Sequence, residues 1–264
     1  MIKLKELLDK TSLKAAGMAV GVDIRMVDGR LECEPIDPDD PRYSLDFVMP
    51  SRRMVEACRA DDFVFCQPYI DAGMMTVEQM HRAAVRYQLG QTRSGAPMFW
   101  MIDEWQEPLD AHIGADGWLS TLLKAREPLL WAWHPRHCLF GLHLLMDEVR
   151  CMRADVKPLV CIVESEVSAV VLSVLFPEFL WMAYAELSFV TADLFAPLAG
   201  RKVVIYPRTD PGMSGYLFFD ELAEEVRMRY GIRISVDALL EEHASDEQKS
   251  RCIDLLDFIC EGAS

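Results

Sequence analysis

Lys157-Pro158-Leu159-Val160-Cys161-Ile162-Val163 is an apolar run that stops on the acidic group Glu164-Ser165-Glu166, and further on Lys202-Val203-Val204-Ile205-Tyr206-Pro207 stops in the same manner on Arg208-Thr209-Asp210. Short apolar runs that end on ionisable side chains are what buried parallel strands look like when their C-terminal ends carry a site. Lys157 to Asp210 therefore reads as the half of a nucleotide-type α/β domain where any chemistry lies.

The flanking segments extend that reading. Val167 to Leu175 is expected to be a helix, Phe179 to Ala183 a strand, Leu194 to Ala199 a short helix, Tyr216 to Tyr230 a helix, Ile232 to Val236 a strand, and Ser245 to Cys260 one closing helix. Strands alternating with helices at this spacing imply an α/β fold: a largely parallel sheet of about four strands, flanked by helices and joined by right-handed crossovers.

Upstream, helices are expected at Ser51 to Arg59 and at Thr76 to Tyr87, the second opened by the capping-box pattern Thr76-Val77-Glu78-Gln79. A strand at Pro97 to Ile102, a turn at Ala115-Asp116-Gly117 and a strand near Leu129 to Trp133 make this a smaller α+β unit. Before it, residues 3–16 suggest an amphipathic helix, Val20 to Pro35 a hairpin turning at Asp28-Gly29, and Ile36 to Pro41 a loop. The expected organisation is an N-terminal extension over 1–60, the α+β unit over 61–152 and the α/β domain over 153–264, with the last boundary between Glu148 and Lys157.

A composition of 51% hydrophobic and 26% charged residues over 264 positions suits a chain that buries a core. The formal net charge of −15 works against broad phosphate-driven nucleic-acid binding, so any nucleic-acid contact is expected to be local, metal-mediated or shared with a partner. Met1 to Leu8 has charges interleaved with its apolar residues, unlike a signal peptide, and the longest apolar stretch, Val167 to Phe176, is too short to span a bilayer. The expected compartment is the cytoplasm. Eight cysteines without a CxxC pair, most inside apolar segments, read as reduced core residues.

The succession His137-Cys138-Leu139-Phe140-Gly141-Leu142, then Val160-Cys161-Ile162-Val163-Glu164, then Val203-Val204-Ile205-Tyr206-Pro207-Arg208-Thr209-Asp210 resembles the core of bacterial DnaG-type primases, in which a leucine-aromatic-glycine-leucine segment precedes a Toprim domain. With Tyr87-Gln88-Leu89-Gly90-Gln91-Thr92 and Phe99-Trp100-Met101-Ile102-Asp103 added, the chain is more closely similar to uncharacterised Toprim-like, primase-related proteins carried on bacterial mobile elements. The resemblance runs from Tyr87 to Asp257 and includes no primase zinc ribbon.

What the resemblance implies is a Mg²⁺-dependent phosphoryl-transfer site. Glu164 matches a glutamate that acts as general acid/base, Asp210 matches the second member of an Asp-x-Asp pair that holds Mg²⁺, and Glu166 would assist as a ligand. The pattern is broken at Arg208, which stands where the first aspartate is expected, and at Val167, where the relatives tend to carry lysine. After the second strand, a glycine-rich turn is replaced by Ala183-Tyr184-Ala185-Glu186-Leu187-Ser188. Two readings of the crevice stand side by side: one Mg²⁺ held by Glu164, Glu166 and Asp210 with water, or Arg208 paired with Glu164 or Asp210 in the metal's place.

Three functions follow from these readings: a degenerate primase-related protein of a mobile element acting in DNA replication or transfer, with weak or no Mg²⁺-dependent phosphoryl-transfer activity and with DNA or DNA-processing proteins as partners; a non-enzymatic interaction module; or a small-molecule nucleotide binder. Arg82, Arg86 and Arg93 are the best local basic group and candidate phosphate contacts, set against the plainer reading of a solvated face. His134, His137, Cys138 and His143 have a spacing that zinc would accept, although His143 lies in an apolar run. Trp100, Trp105, Trp118, Trp131 and Trp133 read as core or partner-contact residues before base-stacking ones.

Overall fold

The structure, a computed structural model, describes residues 22–27, 30–35, 50–60, 63–126, 134–146 and 157–262. The expected helix over 3–16, the loop at 36–41, the strand near Leu129 and the boundary between Glu148 and Lys157 lie outside these residues. The hairpin is present: β1 (Val22–Val27) pairs antiparallel with β2 (Arg30–Pro35), with Val27 opposite Arg30, the register expected of an Asp28-Gly29 turn.

Helix α1 (Arg52–Ala57) begins where the Ser51 hydroxyl accepts from the Met54 amide at 3.3 Å. A short helix α2 (Gln67–Asp71) follows, then α3 (Val77–Arg86). The capping box of α3 is complete: Gln79 N donates to Thr76 Oγ1 at 3.2 Å, and Thr76 N donates to Gln79 Oε1 at 2.8 Å. Thr76→Ala takes away the acceptor of the Gln79 amide, while the backbone amide at position 76 keeps its bond to Gln79 Oε1, and is expected to cost about 1 kcal/mol in urea unfolding, which Thr76→Ser recovers. An unchanged midpoint in Thr76→Ala would mean that tertiary packing alone sets this helix start.

An antiparallel sheet of order β3-β4-β5-β6 is built from Gly90–Gln91, Pro97–Ile102, Pro108–Ile113 and Gly117–Trp118, and α4 (Leu119–Arg126) follows it. Strand β5 is an element that the apolar pattern does not announce. One of its buried positions is Asp110, whose Oδ1 accepts from the Ala111 amide at 2.8 Å and the Ser120 amide at 2.9 Å. The buried carboxylate breaks the alternation that marks a strand.

The second sheet has the order β10-β9-β7-β8 and is parallel throughout, as the alternating pattern predicts. Its elements, in chain order, are β7 (Val160–Val163), α5 (Glu166–Leu175), β8 (Leu180–Ala183), β9 (Lys202–Ile205), α6 (Ser214–Tyr230) and β10 (Arg233–Val236). A short α7 (Leu239–His243) comes next. The expected single helix from Ser245 to Cys260 is two, α8 (Asp246–Ser250) and α9 (Leu255–Gly262), divided where Cys252 takes φ 53°. The break leaves the Ile253 carbonyl to accept from the Thr209 amide at 3.1 Å, which ties the chain's last segment to the loop after β9.

The two sheets share one apolar cluster, to which Phe63, Tyr87 and Phe99 contribute from the first unit and Val160, Phe195 and Leu256 from the second. Phe140 is the joint. Its amide donates to the Ala183 carbonyl at 2.8 Å and its carbonyl accepts from the Ala183 amide at 3.1 Å, an antiparallel bridge on the β8 edge of the parallel sheet. Tyr87 stacks on Phe140 with centroids 5.2 Å apart, and its hydroxyl donates to the Trp181 carbonyl at 2.8 Å. Gly141 has φ 84°, and a Cβ there would lie 3.1 Å from the Tyr87 ring and 3.2 Å from the Trp181 oxygen, so the leucine-aromatic-glycine-leucine pattern answers to a close approach. Among the described residues no helix is long and apolar enough to cross a membrane.

Candidate active-site crevice

Parallel strands put their C-terminal ends on one rim of the sheet. Glu164 follows β7, Tyr184 follows β8, and Arg208 to Asp210 follow β9, so the two acidic run-ends of the sequence do meet on that rim. Arg208 Nε lies 3.3 Å from Glu164 Oε2, with the Arg208 side chain 50% exposed and that of Glu164 24% exposed. Burial pushes the Glu164 carboxyl up, the Arg208 charge and a hydrogen bond from the Tyr184 hydroxyl pull it back, and the Asp254 and Glu166 carboxylates push it up again. Its ordinary value is exceeded on balance. Solvent reaches the guanidinium, so the pair itself weighs about 0.2–1 kcal/mol, as exposed pairs do.

Asp210 is engaged with its own loop. Oδ1 accepts from the Gly212 amide at 2.8 Å, and Oδ2 accepts from the Ser214 hydroxyl at 2.8 Å and the Gly215 amide at 3.2 Å, so the carboxylate serves the first turn of α6. Against the raising effect of burial, these bonds from Ser214, Gly215 and Gly212 together hold Asp210 below the usual aspartate range. Among the described residues Arg208 pairs with Glu164 and makes no ion pair with Asp210.

Glu166, the remaining candidate ligand, is the first residue of α5 and is buried, with Oε1 2.8 Å from His112 Nδ1. It is thereby linked to β5 of the other sheet. Val167 packs against the apolar cluster. The hydrogen bond to Glu166 is the main cause that raises the His112 pKa above 6.5, opposed by burial and aided by the Glu166, Glu186 and Asp110 charges. A raised histidine contributes stability that is full below its ordinary pKa and is lost as pH rises through the folded value. The wild-type urea midpoint is therefore expected to fall from about pH 6 to about pH 9 by an increment that His112→Gln lacks. Parallel pH profiles for the two proteins would remove His112 from the account.

Asp254 joins this environment and has no counterpart in the sequence reading. It is buried, the Ser168 hydroxyl donates to its Oδ2, its Oδ1 accepts from the Asp257 amide at 3.0 Å, and Asp257 Oδ2 accepts from the Asp254 amide at 3.2 Å. Burial is the main cause that raises its pKa. Asp254-x-x-Asp257 is a reciprocal helix-start pattern, and it was the available signal both for this residue and for the break before α9.

Beside the crevice, Glu186 accepts from Trp118 Nε1 at 2.9 Å and from the Ser188 hydroxyl at 2.6 Å. His137 stacks on Phe189 with centroids 3.7 Å apart, and Trp118 meets both rings edge-on. The spacing that suggested zinc does not converge: His137 lies on Phe189, His143 Nε2 is 3.1 Å from the Arg86 carbonyl, and burial pushes the Cys138 thiol well up. Among the described residues no group of three or more His, Cys, Asp or Glu side chains is placed to hold a metal ion. Trp100 is fully buried and Trp118 packs against His112, His137 and Phe189, while Trp105 is 68% exposed; Trp131 and Trp133 lie outside the described residues. Arg82 and Arg86 line a groove of about 400 Å³ with Gln79, Ala83, Ser173, Val174 and Pro177, and Arg93, in the turn before β4, is not in its lining.

A family model described as a domain of unknown function (DUF6371) matches residues 107–209. That span takes in His112, Glu164, Glu166 and Arg208 and stops one residue before Asp210. No curated protein matches the chain. Among solved structures, the Escherichia coli primase catalytic core is similar at 14% identity and a TM-score of 0.43, over 83% of this chain and 83% of that one. A DnaG primase catalytic domain bound to single-stranded DNA is similar at 14% identity and a TM-score of 0.40, over 75% of this chain and 77% of that one. The sheet order and registers, rather than these superpositions, define the fold.

Proposed function

We propose that the protein is a degenerate Toprim-like, primase-related component of a mobile element, acting in DNA replication or transfer by binding a partner rather than by metal-dependent phosphoryl transfer. The observation that carries this reading is Arg208 Nε at 3.3 Å from Glu164 Oε2, at the position where the resemblance expects an aspartate. Exchanging a carboxylate for a guanidinium alters the local charge by two units and removes a coordinating oxygen, and hard Mg²⁺ is held by carboxylate oxygens and phosphates. Asp210 meanwhile accepts from three donors of its own loop and Glu166 is engaged by His112. Mg²⁺ does not fit that set, and Glu164 then acts as the counterion of Arg208 rather than as a general acid/base.

The partner-binding part rests on the surface next to the crevice. Met213, Leu217 and Phe218 are exposed apolar residues at the start of α6, directly after Asp210. Their chemistry suits a protein partner, and the −15 charge suits one better than a nucleic-acid strand. A cytoplasmic location belongs to the same proposal, supported by eight cysteines without a CxxC pair, which read as reduced thiols.

Calorimetric titration of the wild-type protein with Mg²⁺ and Mn²⁺ tests the reading. The expected result is no saturable heat at millimolar metal. Saturable binding that disappears in Glu164→Gln would overturn it and return the site to phosphoryl-transfer chemistry.

A further inference from the structure

A second polar feature lies at the other end of α5. Gln79, Arg82, Ala83 and Arg86 follow one another at i, i+3, i+4 and i+7 on α3 and therefore form a single stripe. Facing them across the groove of about 400 Å³ are Ser173, Val174 and Pro177, from the end of α5 and the residues beyond it. Ser173 lies seven positions after Glu166, about 10 Å along the helix axis, so the groove is separate from the Arg208 crevice.

The lining contains donors and no carboxylate. Gln79 Oε1 is occupied by the Thr76 amide, which leaves its amide nitrogen as a donor. The Ser173 hydroxyl donates to the Val170 carbonyl at 2.7 Å, which leaves the guanidiniums and the Gln79 amide as the lining's donors. Elsewhere Arg52, Arg136, Arg208, Arg227, Arg229 and Arg251 each have a carboxylate partner. Arg82 and Arg86 make no ion pair with a described carboxylate; Glu78 senses Arg82 at longer range. The helix termini near the groove contribute a partial negative charge of roughly half a unit each, and two full guanidinium charges outweigh them. The backbone that carries Arg86 is anchored, since its carbonyl is engaged by His143 and the adjacent Tyr87 is buried and bonded to the Trp181 carbonyl.

We propose that this groove binds a small diphosphate-type anion, its two phosphoryl groups held by the forks of Arg82 and Arg86 and by the Gln79 amide. Guanidinium forks match phosphate oxygens in pairs, and the rise of about 6 Å over the four residues from Arg82 to Arg86 lets each arginine take one of two linked phosphoryl groups. The volume lies within the range of about 300–1,000 Å³ typical of small-ligand sites. A long polyanion would meet the repulsion of a chain with net charge −15, whereas a small one is neutralised locally.

The test is calorimetry of the full chain with pyrophosphate, at low salt and with chelator present, and it is independent of the crevice reading. Saturable one-to-one binding is expected, unchanged in Arg208→Ala and weakened at least about tenfold in the double variant Arg82→Ala/Arg86→Ala. Arg82→Lys/Arg86→Lys keeps the charge, loses the fork and is expected to fall between them. Both arginines are exposed, so the double variant should melt at the wild-type temperature. A flat wild-type titration, or equal binding by the double alanine variant, overturns the assignment. A thymidine oligonucleotide that binds through the same arginines more tightly than pyrophosphate overturns the small-anion part of it.

Discussion

Phe140→Ala is expected to cost about 3–5 kcal/mol of unfolding free energy, the range for removing a buried aromatic side chain from a packed core. The ring is fully buried, stacks on Tyr87 at 5.2 Å and meets the face or edge of Phe99 at 5.7 Å with planes 87° apart. Its two backbone bonds to Ala183 survive in alanine, so the variant measures the packing of the joint alone. Urea unfolding with the slope compared to wild type is the measurement. A loss below about 1 kcal/mol would mean that the neighbours close over the cavity and that the joint between the sheets is not stiff.

Arg208→Asp is expected to convert the crevice from metal-indifferent to metal-responsive. The substitution creates an Asp-x-Asp pair with Asp210, the pattern that the resemblance implies, and removes the counterion of Glu164, whose pKa is already raised by burial. Without cation, the carboxylates of Glu164, Asp254 and the new aspartate repel, and the variant should melt below wild type. Mn²⁺ or Mg²⁺ then relieves that repulsion and stabilises by mass action, about 2.7 kcal/mol at a hundredfold excess over Kd. Melting temperatures across a metal titration are the readout: rising and saturating in Arg208→Asp, flat in wild type and in Arg208→Ala. A flat response in Arg208→Asp would show that Asp210, engaged by Gly212, Ser214 and Gly215, is unavailable to metal whatever stands at position 208.

Much of this architecture can be read from local pattern. The runs ending at Val163 and Ile205 announce two central parallel strands because a strand buried on both faces needs no alternation. Thr76 and Gln79 announce α3 because a capping box is a contact between residues close in sequence. Strand β5 escapes because its inward Asp110 obtains hydrogen bonds from the Ser120 amide, ten positions away. The break before α9 escapes because the apolar periodicity continues across Cys252 and Asp254 while the backbone turns there to meet Thr209.

The same division holds in the site. Sequence alone determined that Glu164 and the Arg208-Thr209-Asp210 group close two parallel strands, that the group after the second of them opens on a positive charge, and that Arg82 and Arg86 share a helix face. Those are consequences of strand run length, residue identity and helical period. Tertiary structure decided which carboxylate Arg208 meets, that Asp210 serves its own helix, that Glu166 is held by His112 from the other sheet, and that Asp254 enters the crevice environment. Those contacts join residues far apart in the chain, and their distances follow from how the two sheets pack around Phe140 rather than from any local pattern.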